Sequence, residues 1–407
     1  MSTQLMPKRQ AIQLFLTFAL AYFLSTLVRA VTATLSPVLT AEFTLNAADL
    51  GLLAGGYFLG FSLTQLPLGS WLDQHGPKRM ILWFLGVAVV GCVAFAVAQD
   101  FNYLLLARVM CGVGLSACLM APLTAYRRWY ARDMLVRANS WMLMSGSLGV
   151  VASTLPVQWL LPSVGWRGIF LVLALLLVLA MLIIVRVVPQ WETVPAPEGQ
   201  APVKASYAQV WRHPYFQKMV PVAFFAYGGL IAVQTLWAAP WMIKVNGYTP
   251  HQAAEGLFVL NVCLLVSYWW WGWVNPRFTA RGWTTTRLMT VGIPVSLLLL
   301  ALTIFSASQN LVPPTVPLIM YCVASTVVSL AQPSVGMAFP AELAGRALSA
   351  YNLVIFSGIF AMQWGMGLVI DALRASGFDQ VQAFQGAFLV LWLLSVGSFV
   401  YFLRKKA

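Results

Sequence analysis

The chain has 407 residues, of which 60% are hydrophobic and only 9% charged, and its mean hydropathy is +0.80. Soluble domains carry about 25% charged residues, so this composition excludes a soluble globule and predicts an integral membrane protein. In a soluble protein the net charge of +13 would suggest a nucleic-acid partner. Here the distribution of that charge is better explained by membrane topology, and we expect no nucleic acid among the partners.

A helix that crosses a membrane needs roughly 20 mostly apolar residues. Twelve stretches of the chain meet this requirement, and they predict an all-α membrane protein with twelve transmembrane helices. In chain order they are 11–39, 50–71, 80–99, 102–126, 138–162, 167–188, 219–244, 252–274, 286–307, 314–337, 347–370 and 381–403.

The basic residues between these stretches predict the orientation of the chain. With a cytoplasmic N-terminus, 19 of the 24 lysines and arginines fall on the cytoplasmic side. Cytoplasmic loops of membrane proteins carry such an excess. We therefore expect a multi-pass protein of the inner membrane, in contact with the lipid bilayer, with both termini in the cytoplasm.

One long hydrophilic stretch divides the predicted helices into six and six. Residues 189–218 contain five prolines and charges of both signs, a composition typical of a linker. The sequence thus predicts an N-terminal six-helix bundle over 1–188, a cytoplasmic linker over 189–218 and a C-terminal six-helix bundle over 219–407. A shift of 203 residues places Thr32 on Thr235, and such offsets favour a parallel repeat of the two halves.

Arg29 lies deep inside the first apolar stretch. An arginine well inside a membrane-spanning helix costs at least about 2.5 kcal/mol, so it usually faces a cavity and has a partner there. No acidic residue lies in the membrane part of any predicted helix. The missing partner is therefore predicted to be an anionic small-molecule substrate. The alternative is that Arg29 bonds backbone carbonyls or extends toward the membrane surface.

Two sequence motifs resemble those of the major facilitator superfamily. Residues 69–79 read GSWLDQHGPKR, similar to the superfamily's loop G-x3-D-x2-G-x-K/R-K/R, and this loop lies between the second and third predicted helices. Residues 104–114 read LLLARVMCGVG, similar to a second motif in helix 4. The resemblance implies two pseudo-symmetric six-helix bundles around a central site lined by helices 1, 4, 7 and 10. It also implies a monomer without cofactor or metal, and a gating role for five residues of the loop: Gly69, Asp73, Gly76, Lys78 and Arg79.

The position of Arg29 is similar to that of a helix 1 arginine in the superfamily's organic-anion carriers. Those carriers often have a second arginine in helix 7, where this chain has Ala232, with Gln234 close by. One arginine and one amide suit a monocarboxylate better than a phosphate ester. Helix 5 also lacks the Gly-Pro of drug/proton antiporters, which favours uptake. The resemblance, together with the polar and amphipathic residues of the predicted helices, predicts eight substrate-binding residues: Tyr22, Arg29, Thr32, Arg108, Gln234, Trp237, Tyr321 and Asn352.

Several alternatives remain open at the level of sequence. Arg108 is as well explained by hydrogen bonds to the backbone of a neighbouring helix. No carboxylate or histidine is placed as a mid-membrane proton carrier, so coupling is open between a proton carried with the substrate, uniport and exchange. The rival functions are a polyspecific exporter of amphipathic drugs or metabolites and a transporter-like sensor. An enzyme is not expected, because no nucleophile–base pair is visible.

Overall fold

The computed structural model describes residues 6–130, 132–190, 207–306 and 315–405, and within these ranges the chain is helical, with no strand. Its α-helices are α1 (Lys8–Phe43), α2 (Ala47–Leu63), α3 (Gln65–Val97), α4 (Phe101–Leu115), α5 (Ala117–Trp129), α6 (Arg132–Ala152), α7 (Leu155–Val187), α8 (Tyr207–Arg212), α9 (Pro214–Pro221), α10 (Gly228–Ala232), α11 (Ala238–Lys244), α12 (Pro250–Ala280), α13 (Thr285–Ser306), α14 (Thr315–Ser325), α15 (Ala331–Met337), α16 (Ala341–Ala375) and α17 (Gln380–Arg404).

Ten helical segments of the described chain are long and apolar enough to cross a membrane, and α2 is a shorter apolar helix. The remaining predicted stretch corresponds to α6, whose first turns carry charged residues. The predicted all-α membrane fold is confirmed. Several predicted boundaries were wrong, because breaks in the chain do not coincide with changes in hydropathy. The stretches 50–71 and 138–162 each contain a break, between α2 and α3 and between α6 and α7.

Two glycines turn the chain inside what would otherwise be continuous helices. Gly76 in α3 has a φ of 75°, and Gly165 in α7 has a φ of 66°. Glycine reaches this left-handed region without the steric penalty of a Cβ atom. Gly76 therefore makes a tight turn inside the predicted gating loop, and the long segments α3 and α7 each join two of the predicted helices.

The predicted seventh span contains two π-helical segments, Val222–Tyr227 and Val233–Trp237, between α9 and α11. A shorter irregularity, the 3₁₀ segment Thr326–Leu330, joins α14 to α15. π-Helical segments are rare and occur often at functional sites. Both π segments lie in predicted helix 7, one of the four helices expected to line the central site.

The described helices form two compact units. Unit 1 comprises Met1–Val31 and Gly60–Lys204, and unit 2 comprises Thr32–Leu59 and Ala205–Ala407. The predicted division into 1–188, 189–218 and 219–407 stays a prediction, and residues 191–206 of the predicted linker lie outside the described residues.

In unit 1 the helices approach closely through small residues. A Cβ atom added at Gly114 of α4 would overlap the backbone of Ala88 in α3. On the same side, the rings of Phe95 in α3 and Phe170 in α7 stack with centroids 4.1 Å apart. Small residues at such contacts let van der Waals packing hold membrane helices together.

In unit 2 the first turns of α2 are held against α16. A Cβ atom at Gly51 would overlap the carbonyl oxygen of Gln363. The carboxylate of Asp371 accepts hydrogen bonds from the backbone N–H groups of Ala47, at 3.1 Å, and Ala48, at 2.7 Å. These N–H groups have no partner within their own helix, and a carboxylate is favoured at a helix N-terminus. Asp371 thus caps α2 from a helix distant in sequence.

Candidate functional site

Arg29 lies in unit 1, on α1, with a half-buried side chain. Its Nε atom is buried and has no hydrogen-bond partner. In the described part of the chain, no carboxylate lies within ion-pair distance of its guanidinium. A buried donor without an acceptor costs on the order of 1–3 kcal/mol, so the arrangement favours an acceptor that the protein itself does not provide.

Arg108 of α4 is completely buried beside Arg29. Its guanidinium donates one hydrogen bond to the carbonyl oxygen of Val28, at 2.8 Å, and another to that of Arg29, at 2.9 Å. This is the backbone-bonding arrangement considered as the alternative for Arg108. The two bonds join α4 to the turn of α1 from which the Arg29 side chain projects.

The same part of α1 also packs against α6. A Cβ atom at Gly149 would overlap the carbonyl oxygen of Phe23 and the hydroxyl of Thr26, and one at Gly146 would overlap the ring of Tyr22. The Thr26 hydroxyl donates to the carbonyl oxygen of Gly146 at 2.7 Å. Because neither glycine has a side chain, α1 and α6 approach to backbone contact.

Tyr22 lies two turns before Arg29 on α1, within electrostatic range of its guanidinium. The spacing of seven residues places both side chains on one face of the helix. Tyr22, Arg29 and Arg108 are therefore brought together in unit 1. Thr32, one turn further along α1, groups with unit 2; its hydroxyl is buried without a partner.

The other predicted site residues lie in unit 2, and two of them, Gln234 and Asn352, are in polar pairs. The amide of Gln234 donates to Asn261 Oδ1 at 2.7 Å, and Asn261 in turn donates to the carbonyl oxygen of Leu257 at 2.8 Å. The amide of Gln332 donates to Asn352 Oδ1 at 2.6 Å. Each amide is thus fixed in orientation by a neighbour from another helix.

Trp237 is fully buried, and its indole Nε1 donates to the backbone carbonyl of Gln363 at 3.1 Å. The Gln363 side-chain amide donates to the hydroxyl of Thr235 at 3.0 Å, while its Oε1 atom is buried without a partner. Tyr321 is also buried, at 3% exposure. Trp237 and Tyr321 are therefore packed within unit 2.

The residues of the predicted gating loop lie around the turn at Gly76. The Lys78 ammonium donates to the carbonyl oxygen of Val185 at 2.8 Å, which joins the loop to the end of α7. Asp73 is exposed and interacts electrostatically with Arg127 of α5. Arg79 is exposed. A Cβ atom at Gly69 would meet nothing within 4 Å.

Comparison with known proteins identifies the family. The sequence profile of the Major Facilitator Superfamily matches residues 18–363, which is most of the chain. The chain belongs to the Major Facilitator Superfamily. The predicted family is confirmed, and the superfamily consists of secondary transporters built from repeated helical halves.

Curated relatives from the superfamily match parts of the chain. A putative metabolite transport protein of Haemophilus influenzae is 30% identical over 135 residues, 33% of this chain and 33% of its own length. A probable L-galactonate transporter of Escherichia coli is 26% identical over 33% of this chain and 30% of its length. The chain therefore spans about a third of the length of these relatives. A sialic acid transporter of Escherichia coli is 22% identical over 50% of this chain and 45% of its length.

Solved structures share the fold over almost the whole chain. A bacterial homologue of the human lysosomal transporter Spinster superposes with a TM-score of 0.80, at 18% identity, over 98% of this chain and 97% of its own. A D-xylose–proton symporter superposes with a TM-score of 0.78, at 13% identity, over 98% of each chain. At these identities the likeness establishes the Major Facilitator Superfamily fold.

Sequence reasoning missed three features of this superfamily member. It did not find the glycine contacts of Gly146 and Gly149 with α1, although the spacing of three residues on one helix face was a usable signal. It did not find the cap that Asp371 provides to α2, because nothing in the sequence relates two segments so far apart. It also did not find the π segment that holds Gln234 and Trp237.

Proposed function

We propose that the chain transports a small organic anion, a monocarboxylate, across the inner membrane by alternating access and in the direction of uptake. Arg29 is the anion anchor. The loop of Asp73 and Arg79 acts in gating. A proton that accompanies the substrate would be carried by the substrate itself, because no acidic residue or histidine lies in the membrane part of any predicted span.

The observation that supports this proposal is the unpaired guanidinium of Arg29. Two arginines lie side by side in unit 1, and they differ in what they bind. The two terminal nitrogens of Arg108 donate to the carbonyl oxygens of Val28 and Arg29, whereas no hydrogen bond is formed by the guanidinium of Arg29 within the described residues. The Nε atoms of both arginines are buried without an acceptor, so the two side chains differ in their terminal nitrogens. An arginine presents several donors in a fixed fork and can hold a carboxylate through two parallel hydrogen bonds.

The identity of the anion is proposed from charge and from the relatives. A single intramembrane arginine free to bind ligand matches one negative charge. L-Galactonate and sialic acid, named for two of the relatives, are carboxylates. As further substrate contacts, Tyr22 and Thr32 of α1 stay predictions. The same holds for the buried residues of unit 2, namely Gln234, Trp237, Tyr321 and Asn352.

A ligand screen on the purified protein tests the proposal. A ligand that binds only the folded state raises the apparent unfolding temperature, so thermal shifts are compared for small monocarboxylates, phosphate esters, neutral sugars and cationic amphiphiles. Arg29→Gln removes the charge and keeps a polar side chain. Lys244→Gln serves as the matched control, because Lys244 is an exposed cation at the end of α11.

We expect monocarboxylates to stabilise the wild type and the Lys244→Gln variant. In Arg29→Gln, affinity should fall about ten- to hundredfold, the equivalent of a charge-assisted hydrogen bond of roughly 1.5–3 kcal/mol. Uptake into proteoliposomes should fall with it. Unchanged carboxylate binding in Arg29→Gln would refute the anchor. Stabilisation by cationic amphiphiles, insensitive to Arg29, would instead support an exporter of amphipathic compounds.

A further inference from the structure

An apolar groove lies in unit 2, away from the polar residues described above. Its volume is about 330 Å³, and it lies between α12, α13 and the junction of α14 with the 3₁₀ segment. Four aromatic residues and two small ones are among those that line it: Trp270, Trp271, Phe278, Trp283, Gly292 and Ala324. We call it the tryptophan groove.

The floor of the tryptophan groove is fixed and has little unsatisfied polarity. The indole Nε1 of Trp271 donates to the hydroxyl of Thr326 at 2.9 Å, so its one polar atom is already bonded. A Cβ atom at Gly292 would come within 2.9 Å of the Val327 methyl groups, so α13 and the 3₁₀ segment are in close contact where both line the groove. Such a surface accepts hydrocarbon.

The rim of the groove is basic. Arg277 lies over the ring of Trp273 at 3.6 Å from its centroid, and Arg287 lies over the ring of Trp283 at 4.4 Å. Both guanidinium groups are exposed, as is that of Arg281 at the end of α12. Over the described ranges, no carboxylate forms an ion pair with any of the three.

Hydrocarbon-binding walls next to unpaired arginines match the two parts of one ligand class. We propose that the tryptophan groove binds an anionic phospholipid, with an acyl chain in the groove and the phosphate held by Arg277 and Arg287. The arginines flank the turn between α12 and α13, where the helices end and headgroups are expected. Tryptophan is enriched at that level, and basic pockets between membrane helices bind anionic headgroups. Stacking on tryptophan fixes each guanidinium. One terminal nitrogen of Arg277 donates to the carbonyl oxygen of Trp273 at 2.9 Å, which leaves its other donors for a phosphate.

The test is native mass spectrometry of the full-length protein, titrated with phosphatidylglycerol and with phosphatidylcholine of the same acyl chains. The Arg277→Gln/Arg287→Gln double variant removes the proposed phosphate contacts. Arg212→Gln is the matched control, since Arg212 is an exposed arginine of unit 2 outside the groove. Ala324→Phe fills the groove without changing charge, and Ala324→Leu replaces it if the phenylalanine variant does not fold.

We expect wild type and Arg212→Gln to bind one phosphatidylglycerol in preference to phosphatidylcholine. The double variant should lose about fivefold in affinity for each arginine removed. The filled groove should weaken both lipids. Equal affinity of the wild type for the two lipids, or an unchanged preference in the double variant, would overturn the headgroup contacts. Undiminished binding in the filled variant would overturn the acyl-chain site.

Discussion

The buried side chain of Arg108 gives a prediction that separates positioning of the anion anchor from direct contact with substrate. The perturbation is Arg108→Met, which keeps an unbranched side chain but removes all donors. Both hydrogen bonds from α4 to the turn of Val28 and Arg29 are then lost. If Arg108 positions Arg29, the variant should lose stability and, indirectly, affinity for anions.

The magnitude follows from the two bonds, of 2.8 and 2.9 Å. In water-soluble proteins a hydrogen bond to a charged group contributes about 1.5–3 kcal/mol. Between membrane helices the measured average is about 0.6 kcal/mol, with a maximum near 1.7, because the separated helices also find partners. The membrane values apply to α1 and α4, so we expect a loss of roughly 1–3 kcal/mol in the free energy of unfolding.

The assay combines thermal unfolding with a double-mutant cycle on anion affinity. Arg29→Gln alone should leave the unfolding temperature unchanged, since its guanidinium forms no ion pair in the described chain. With Arg29→Gln already present, Arg108→Met should reduce anion affinity little further, because coupled residues are not additive. If the two substitutions lower anion affinity independently, so that their fold-changes multiply in the double variant, Arg108 itself contacts the substrate and the positioning role is refuted. An Arg108→Met variant as stable as the wild type would also refute the positioning role.

Three further predictions follow from other parts of the chain. Asp371→Ala removes the cap on α2 and should lower the free energy of unfolding by about 1 kcal/mol, measured by chemical unfolding; no change would contradict the cap. Gly149→Ala places a methyl group on the Phe23 carbonyl and should destabilise by about 1–3 kcal/mol, while Gly397→Ala, where nothing lies within 4 Å, should not. Asp73→Asn should slow turnover in proteoliposomes more than it weakens binding, and a loss of affinity at normal turnover would exclude gating.

Hydropathy was sufficient to predict the fold class because a bilayer imposes its own length and polarity on every crossing segment. The same argument located Arg29, since an uncompensated intramembrane charge is visible in any sequence. The residues at which the helices begin, end or turn were less predictable. The loop around Gly76 was found because its motif is local, but Gly165 lies in an apolar run and its left-handed backbone has no hydropathy signal.

The roles of individual polar residues could not be predicted from the sequence for a different reason. Arg108 had two interpretations, and choosing between them requires knowing which carbonyl oxygens α1 presents to α4. The partners of Gln234 and Asn352 are likewise set by how separate helices pack. Such pairings depend on tertiary geometry, whereas composition and spacing report only what each helix could do in isolation.

The π segment Val233–Trp237 has a consequence for how this transporter could change over evolution. A π turn contains one more residue than the α-helical turn it replaces, so deleting one residue there would restore a regular helix rather than break it. Because the π turn takes up the extra residue locally, the helix on either side of the deletion would keep its facing, and only the side chains within the segment would shift. Gln234 could then turn away from Asn261 while the helix still crossed the membrane. A single-codon deletion at this point could therefore change the polar residues of one turn and leave the remaining inward-facing side chains where they are.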